Sequence, residues 1–129
     1  MIVCWRTVEV AAERRERFLA WIDENRPLRE EHGILFELVL ERSARQNPAK
    51  TLQPAEPQPT DAGELVIVTG WPSHDVFDAW IATPDRDRLT DSDVHASVQY
   101  GPITRHDVVG GYLNRDGLAA VAEALKEEP

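Results

Sequence analysis

His74, His95, His106, Arg6, Arg105, Tyr100 and Tyr112 are the side chains of this chain suited to moving a proton or holding an anion. An imidazole exchanges a proton near neutrality, and guanidinium and phenol groups donate to a developing oxyanion. His95 stands before Tyr100 in an irregular stretch, a position that favours a pocket mouth. His106 alternates with Thr104 and Val108, with Arg105 and Asp107 pointing the other way. These two are the candidate proton acceptors. His74 opens a helix, where the dipole disfavours a cation, and reads as solvated. His32 belongs to a helix-ending turn. No two histidines have the spacing of helical metal ligands, and Asp91, Asp93 and His95 share a side only in a strand, so no metal site and no cofactor are expected. Cys4, the single cysteine, has no internal disulfide partner and reads as a small buried hydrophobe on a strand.

The elements that position these groups follow from periodicity. Residues 2–10 (IVCWRTVEV) are β-branched and aromatic, with Ile2, Cys4, Val8 and Val10 on one alternate face. Ala11 to about His32 is helical, with an apolar stripe of Phe18, Leu19, Trp21 and Ile22. Pro27 is expected to kink or restart that helix, and Gly33 to stop it. Residues 34–42 read as a second strand whose even positions Ile34, Phe36, Leu38 and Leu40 face the core. Four prolines between Ser43 and Gly63 mark a long, poorly ordered connection. Glu64 to Trp71 is a third strand; Ser73 then caps a helix carrying Val76, Phe77, Trp80 and Ile81, and Thr83-Pro84 restarts it through Leu89. An irregular stretch leads to Gly101-Pro102, a fourth strand covers Ile103 to Tyr112, and Leu118, Val121, Ala122 and Leu125 predict an amphipathic tail helix.

The 129 residues make one domain over 1–113 with a tail helix over 114–129. The 42% hydrophobic and 29% charged fractions exclude wholesale disorder. Fourteen basic against 23 acidic residues give −9, a field that repels phosphate backbones and anionic lipid. Nucleic acid and membrane are therefore not expected partners. The start Met1-Ile2-Val3-Cys4-Trp5-Arg6 lacks the basic region of a signal peptide, so a cytoplasmic location is expected.

Strand, helix, strand, strand, helix, strand is the α+β, ferredoxin-like βαββαβ order, an antiparallel sheet with both helices on one face. Apolar groups then remain on the second face: Val3 and Trp5 on strand one, Leu35 and Val39 on strand two, and either Leu65, Ile67 and Trp71 or Val66 and Val68 on strand three. Burying that face against a twin predicts a homodimer, a dimeric α/β barrel with an extra C-terminal helix, and a cavity between helices and sheet or within the barrel.

The segment Val68-Thr69-Gly70-Trp71-Pro72-Ser73-His74-Asp75-Val76-Phe77-Asp78-Ala79-Trp80 resembles the strand-to-helix signature of the antibiotic biosynthesis monooxygenase family of dimeric α/β barrels. In that family a Trp ends strand three, a Ser follows two residues later and a Phe and a second aromatic mark the helix. The resemblance covers about residues 1–42 and 64–112. It implies cofactor-independent oxygenation of a phenol or quinol, in which a deprotonated aromatic reduces O₂ directly. Trp71 matches the family's pocket-facing Trp, while the family's Asn four residues earlier is Ile67 and its Tyr six residues later is Phe77. Haem-degrading relatives use an Asn where Arg6 stands, a Trp matched by Trp80, and an iron-binding His where Thr90 stands, so the axial ligand is missing.

The expected activity is thus binding, and oxidation if catalytic, of a hydrophobic aromatic small molecule. Trp71, Phe77, Trp5, Ile67 and Tyr100 form the substrate slot, and His95 or His106 is the base. A non-enzymatic binding protein and an isomerase or cyclase on the same barrel are the alternatives.

Overall fold

The structure, a computed structural model, describes residues 1–47, 63–90 and 93–127. Strand β1 (Ile2–Val10) is the spine of the sheet. It pairs antiparallel with β3 (Glu64–Trp71) from Ile2 opposite Trp71 to Glu9 opposite Glu64. Strand β2 (Phe36–Leu40) pairs antiparallel with the outer side of β3. On its other side β1 pairs with β4 (Val98–Tyr100) and then β5 (Thr104–Asp107), which share the fourth strand position. The order β2-β3-β1-β4 is that of the ferredoxin-like α+β fold.

The fourth strand differs from the sequence expectation of Ile103 to Tyr112. It begins earlier, inside the stretch read as irregular, after a 3₁₀ turn over Asp93–Ser97, and it ends at Asp107. Its two halves are out of step by one residue: Val8 pairs with Tyr100, yet Trp5 pairs with Thr104. The extra residue is a bulge at Gly101-Pro102, held by Gly101 N–H donating to the Thr7 carbonyl at 2.8 Å and by Arg6 donating to the Gly101 carbonyl through Nε (3.1 Å) and Nη2 (2.8 Å).

Helix α1 (Arg15–Glu31) covers the sheet, turning its buried Phe18 and Ile22 inward. Contrary to expectation it runs uninterrupted through Pro27. Proline removes one backbone donor, and just upstream the Trp21 carbonyl accepts from Asn25 Nδ2 (2.9 Å) and the Ile22 carbonyl from Arg29 Nη2 (2.7 Å). Gly33, at φ +98°, ends the helix. Helix α2 (His74–Ala82) starts at Ser73, whose Oγ accepts from Val76 N–H at 3.2 Å. Helix α3 (Pro84–Thr90) follows directly.

The register sorts the faces. Ile2, Cys4, Arg6, Val8 and Val10 share the helix-covered face with Leu65, Ile67, Thr69 and Trp71. On β2 that face carries Glu37 and Val39, not the even positions. The even residues Phe36, Leu38 and Leu40 lie on the open face beside Val66, Val68, Val3 and Trp5, because Phe36 pairs with Gly70, which is itself opposite Val3. The apolar alternation of this strand therefore marks the uncovered side.

The covered core is divided. One cluster joins Val8, Val10, Phe18, Ile22, Leu65 and Val94; the other joins Ile2, Cys4, Trp71, Phe77 and Trp80. Burial of side chains of this size stabilises by about 1.5 to 3 kcal/mol each. After β5 the chain leaves the sheet, and helix α4 (Arg115–Glu127) exposes its stripe of Leu118, Val121 and Leu125. Most of the Pro-rich connection from Ser43 to Gly63 lies outside the described residues.

Candidate functional site

A cavity of about 150 Å³ lies between the helices and the sheet, bordered by members of both core clusters. Its apolar wall includes Trp71, Phe77 and Trp80 from the end of β3 and from α2. Trp71 is 1% exposed, lies 5.2 Å from Phe77 and 6.4 Å from Trp80 between ring centres, and donates through Nε1 to Thr69 Oγ1 at 2.9 Å. A space of this size is the kind that holds one aromatic ring.

The polar lining is Arg6, Arg86, His95 and Tyr100, with Arg29 bound to Glu37. The 3₁₀ turn sets the His95 ring edge-on to Trp21, with centres 4.4 Å apart, and 5.2 Å from the Tyr100 ring. Nε2 of His95 and the hydroxyl of Tyr100 are buried and have no hydrogen-bond partner among the described residues. Burial pushes the His95 pKa down, the cations Arg86 and Arg6 push it further down, and the Leu89 backbone acts in the opposite sense as an acceptor. The ring is therefore neutral near pH 7. With the Leu89 carbonyl as the acceptor, the proton sits on Nδ1 and Nε2 keeps its lone pair. Tyr100 is pushed up to about 12 by burial, against the opposing pull of Arg6 and Arg86, and stays protonated. A proton acceptor and a proton donor thus line one apolar space.

Arg6 interrupts the apolar face of β1 with a charge. Its guanidinium lies 4.6 Å from the centre of the Tyr100 ring. Arg29 is buried and pairs with Glu37, which is 7% exposed: Nη2 donates to Oε1 at 2.7 Å, while Nε lies 2.7 Å from Oε2 but off the line of its N–H. Glu37 is thereby neutralised, and no other carboxylate among the described residues borders the cavity. Cys4 is buried among the lining residues, and burial pushes its thiol up, so it is a packing thiol. No group of three His, Cys, Asp or Glu is arranged for a metal among the described residues.

Trp71, Phe77, Ile67, Tyr100 and His95, all read from the sequence as site residues, line this one cavity. Trp5 borders it only from the strand: its indole lies on the open face and donates to Nε2 of His106 at 2.7 Å, with the two rings parallel. His106 pairs across from Val3 and lies on that same face, so the two candidate bases stand on opposite sides of the sheet. Had β5 kept the register of β4, Thr104 and His106 would face the helices; the bulge turns them away. His74 bonds Asp107 Oδ1 (2.7 Å) and Arg105 Nη1 (3.3 Å) on the exposed edge, where Arg105 also binds Asp78 at 2.6 Å. His32 lies 3.2 Å from Asp85, with its ring against Trp80. Tyr112 is exposed on the tail.

Sequence reasoning missed Arg86, Trp21, Thr69 and the buried Arg29–Glu37 pair. Trp21 and Thr69 had a signal in their phase on the helix stripe and on the covered face of β3. Arg29 and Arg86 had none, since a lone arginine on an amphipathic helix normally reads as solvated.

Neither the known protein families nor the curated protein sequences give a match to this chain. Solved structures do. An antibiotic biosynthesis monooxygenase is 20% identical, with TM-score 0.58 over 85% of this chain and 100% of that one. SnoaB, a cofactor-independent oxygenase from Streptomyces nogalater, is 12% identical, with TM-score 0.61 over 85% and 94%. MhuD, a haem degrader from Mycobacterium tuberculosis, is 18% identical, with TM-score 0.57 over 87% and 99%. The chain has the ferredoxin-like fold of the antibiotic biosynthesis monooxygenases.

Proposed function

We propose that the cavity binds a hydrophobic aromatic small molecule and oxidises it without a cofactor, the substrate being a phenol or quinol. The observation that carries this reading is the pairing of a neutral His95, its Nε2 unpartnered, with the unpartnered Tyr100 hydroxyl in a space walled by Trp71 and Phe77. Likeness of fold to SnoaB, a cofactor-independent oxygenase, supports the choice of reaction.

His95 Nε2 takes the hydroxyl proton, and Tyr100, Arg6 and Arg86 stabilise the resulting aromatic anion. That anion reduces O₂. For a quinol, one oxygen atom forms a new C–O bond on the ring and the other leaves as water with two hydrogens from the substrate, so quinol plus O₂ gives hydroxyquinone plus water. No external reductant is needed. Oxygen uptake with a panel of one-ring hydroquinones tests the reading. Turnover by the wild type that is lost in His95→Ala is expected; no uptake, or uptake unchanged by that substitution, sinks it.

The same donor and acceptor pair would also serve proton transfer between two carbons of a bound substrate, an isomerase or cyclase reaction. Turnover under anaerobic conditions would establish that second reading.

The working unit is a homodimer closed over the open face of the sheet. Trp5, 38% exposed, and Leu40, 45% exposed, sit there with Val66, Val68, Phe36 and Leu38, an apolar surface broader than a sheet in water carries. His106, bonded to Trp5, belongs to that interface. No helix among the described residues is long and apolar enough to cross a membrane.

A further inference from the structure

At the cavity this acidic chain turns a surplus of positive charge inward. Its overall balance is −9, yet among the charged groups bordering the cavity Glu37 is consumed by Arg29, leaving Arg6 and Arg86. Both act on the same two groups: each influences His95 and Tyr100 electrostatically. Both line the cavity together with His95 and Tyr100, and the Arg6 guanidinium lies 4.6 Å from the centre of the Tyr100 ring. Arg6 spends Nε and Nη2 on the Gly101 carbonyl, and the Arg86 side chain has no carboxylate or hydrogen-bond partner among the described residues. Two cations placed together without counter-charge repel each other and lose hydration, which an anion between them reverses. A phenolate that exists only in passing during turnover leaves this arrangement unbalanced in the resting complex.

We infer that the ligand is an aromatic acid of about one ring, its carboxylate held between Arg6 and Arg86 and its ring laid against Trp71 and Phe77. The inference rests on the cavity being the substrate site and narrows the substrate class. The volume limits the ring system: a cavity of about 150 Å³ takes a benzene-sized body, so the three rings of an anthrone do not fit without widening. Because Arg6 is tied to the bulge, its position is set before ligand arrives, while Arg86 on α3 supplies the unbonded fork for a two-pronged contact.

Isothermal titration under nitrogen with 2-hydroxybenzoate, whose hydroxyl and carboxylate share one end of the ring, and its neutral counterpart 2-hydroxybenzamide tests this without requiring turnover. The acid is expected to bind at least about tenfold more tightly than the amide, with a margin that shrinks in high salt. Arg86→Gln is expected to remove most of that margin by weakening acid binding about tenfold. Arg6→Lys, which keeps the charge but not the fork, is expected to retain part of it. Equal binding of acid and amide, an unchanged margin in Arg86→Gln, or no acid binding at concentrations on the order of 10 mM overturns the inference. Acid binding without oxygen uptake removes the oxygenase reading alone. Oxygen uptake on neutral quinols with no preference for acids removes this inference alone.

Discussion

The guanidinium of Arg6 lies over the ring of Tyr100, 4.6 Å from its centre, while the hydroxyl of the same tyrosine has no partner among the described residues. The ring is therefore fixed by stacking, and the hydroxyl contributes a desolvation cost with no bond to offset it. Tyr100→Phe keeps the stack and deletes the orphan group. It is expected to raise unfolding free energy by about 1 kcal/mol in urea titration and to lower quinol turnover, the pattern of a group retained for function at a cost in stability.

His95 gives a pH signature. Its folded-state pKa is lowered by burial and by Arg86 and Arg6, so the unfolded chain takes the proton first as pH falls through about 6.5. The contribution to stability is complete above that value and is lost as pH falls through the lower folded-state value. The urea midpoint of the wild type is expected to drop between about pH 7.5 and about pH 5.5, and to drop less in His95→Gln. The acid limb of kcat/KM for quinol oxidation is expected below about pH 6.5 for the same reason.

The two sheet faces separate fold stability from the proposed assembly. Trp71→Ala empties a fully buried site and is expected to cost about 3 to 5 kcal/mol in denaturant unfolding. Trp5→Glu places a charge on the open face, beside His106. It is expected to convert a dimer to a monomer in sedimentation analysis; a mass unchanged from wild type would count against the interface.

Gly33 combines φ +98° with a close neighbour: a Cβ there would meet Val76 Cγ1 at 2.9 Å. Gly33→Ala is expected to destabilise by more than about 1 kcal/mol, read as a lowered melting temperature, because it strains the turn and pushes α2 away from it.

The fold was legible because its signals were local. Alternation over residues 2–10 and 64–71, the Ser73 cap and the Gly33 stop each depend on neighbours within a few residues, and together they order the sheet. Two features depend on pairing partners far away and were not legible. Alternation on β2 says that Phe36, Leu38 and Leu40 share a face but not which one, and the register with β3 assigns it to the open side. The bulge at Gly101-Pro102 shifts phase by one residue, so Tyr100 and His106, both at even positions, finish on opposite faces. Half of the candidate site followed from aromatics at strand and helix ends. Arg86 and the Arg29–Glu37 pair did not, since burial of a charge is decided by what packs over it.

Because the buried clusters around Phe18 and around Trp71 are separated by the cavity, the sheet is two half-cores sharing one set of strands. At the midline Arg6 on β1 pairs with Ile67 on β3, which packs against the Phe18 cluster, and Arg6 sets a charged side chain between the two apolar halves. Such a seam is where a protein breathes, one half loosening while the other holds. A ligand seated there acts as a keystone. It locks the halves into one cooperative unit, and occupancy then registers in amide exchange along the whole of β1, well beyond the residues it touches.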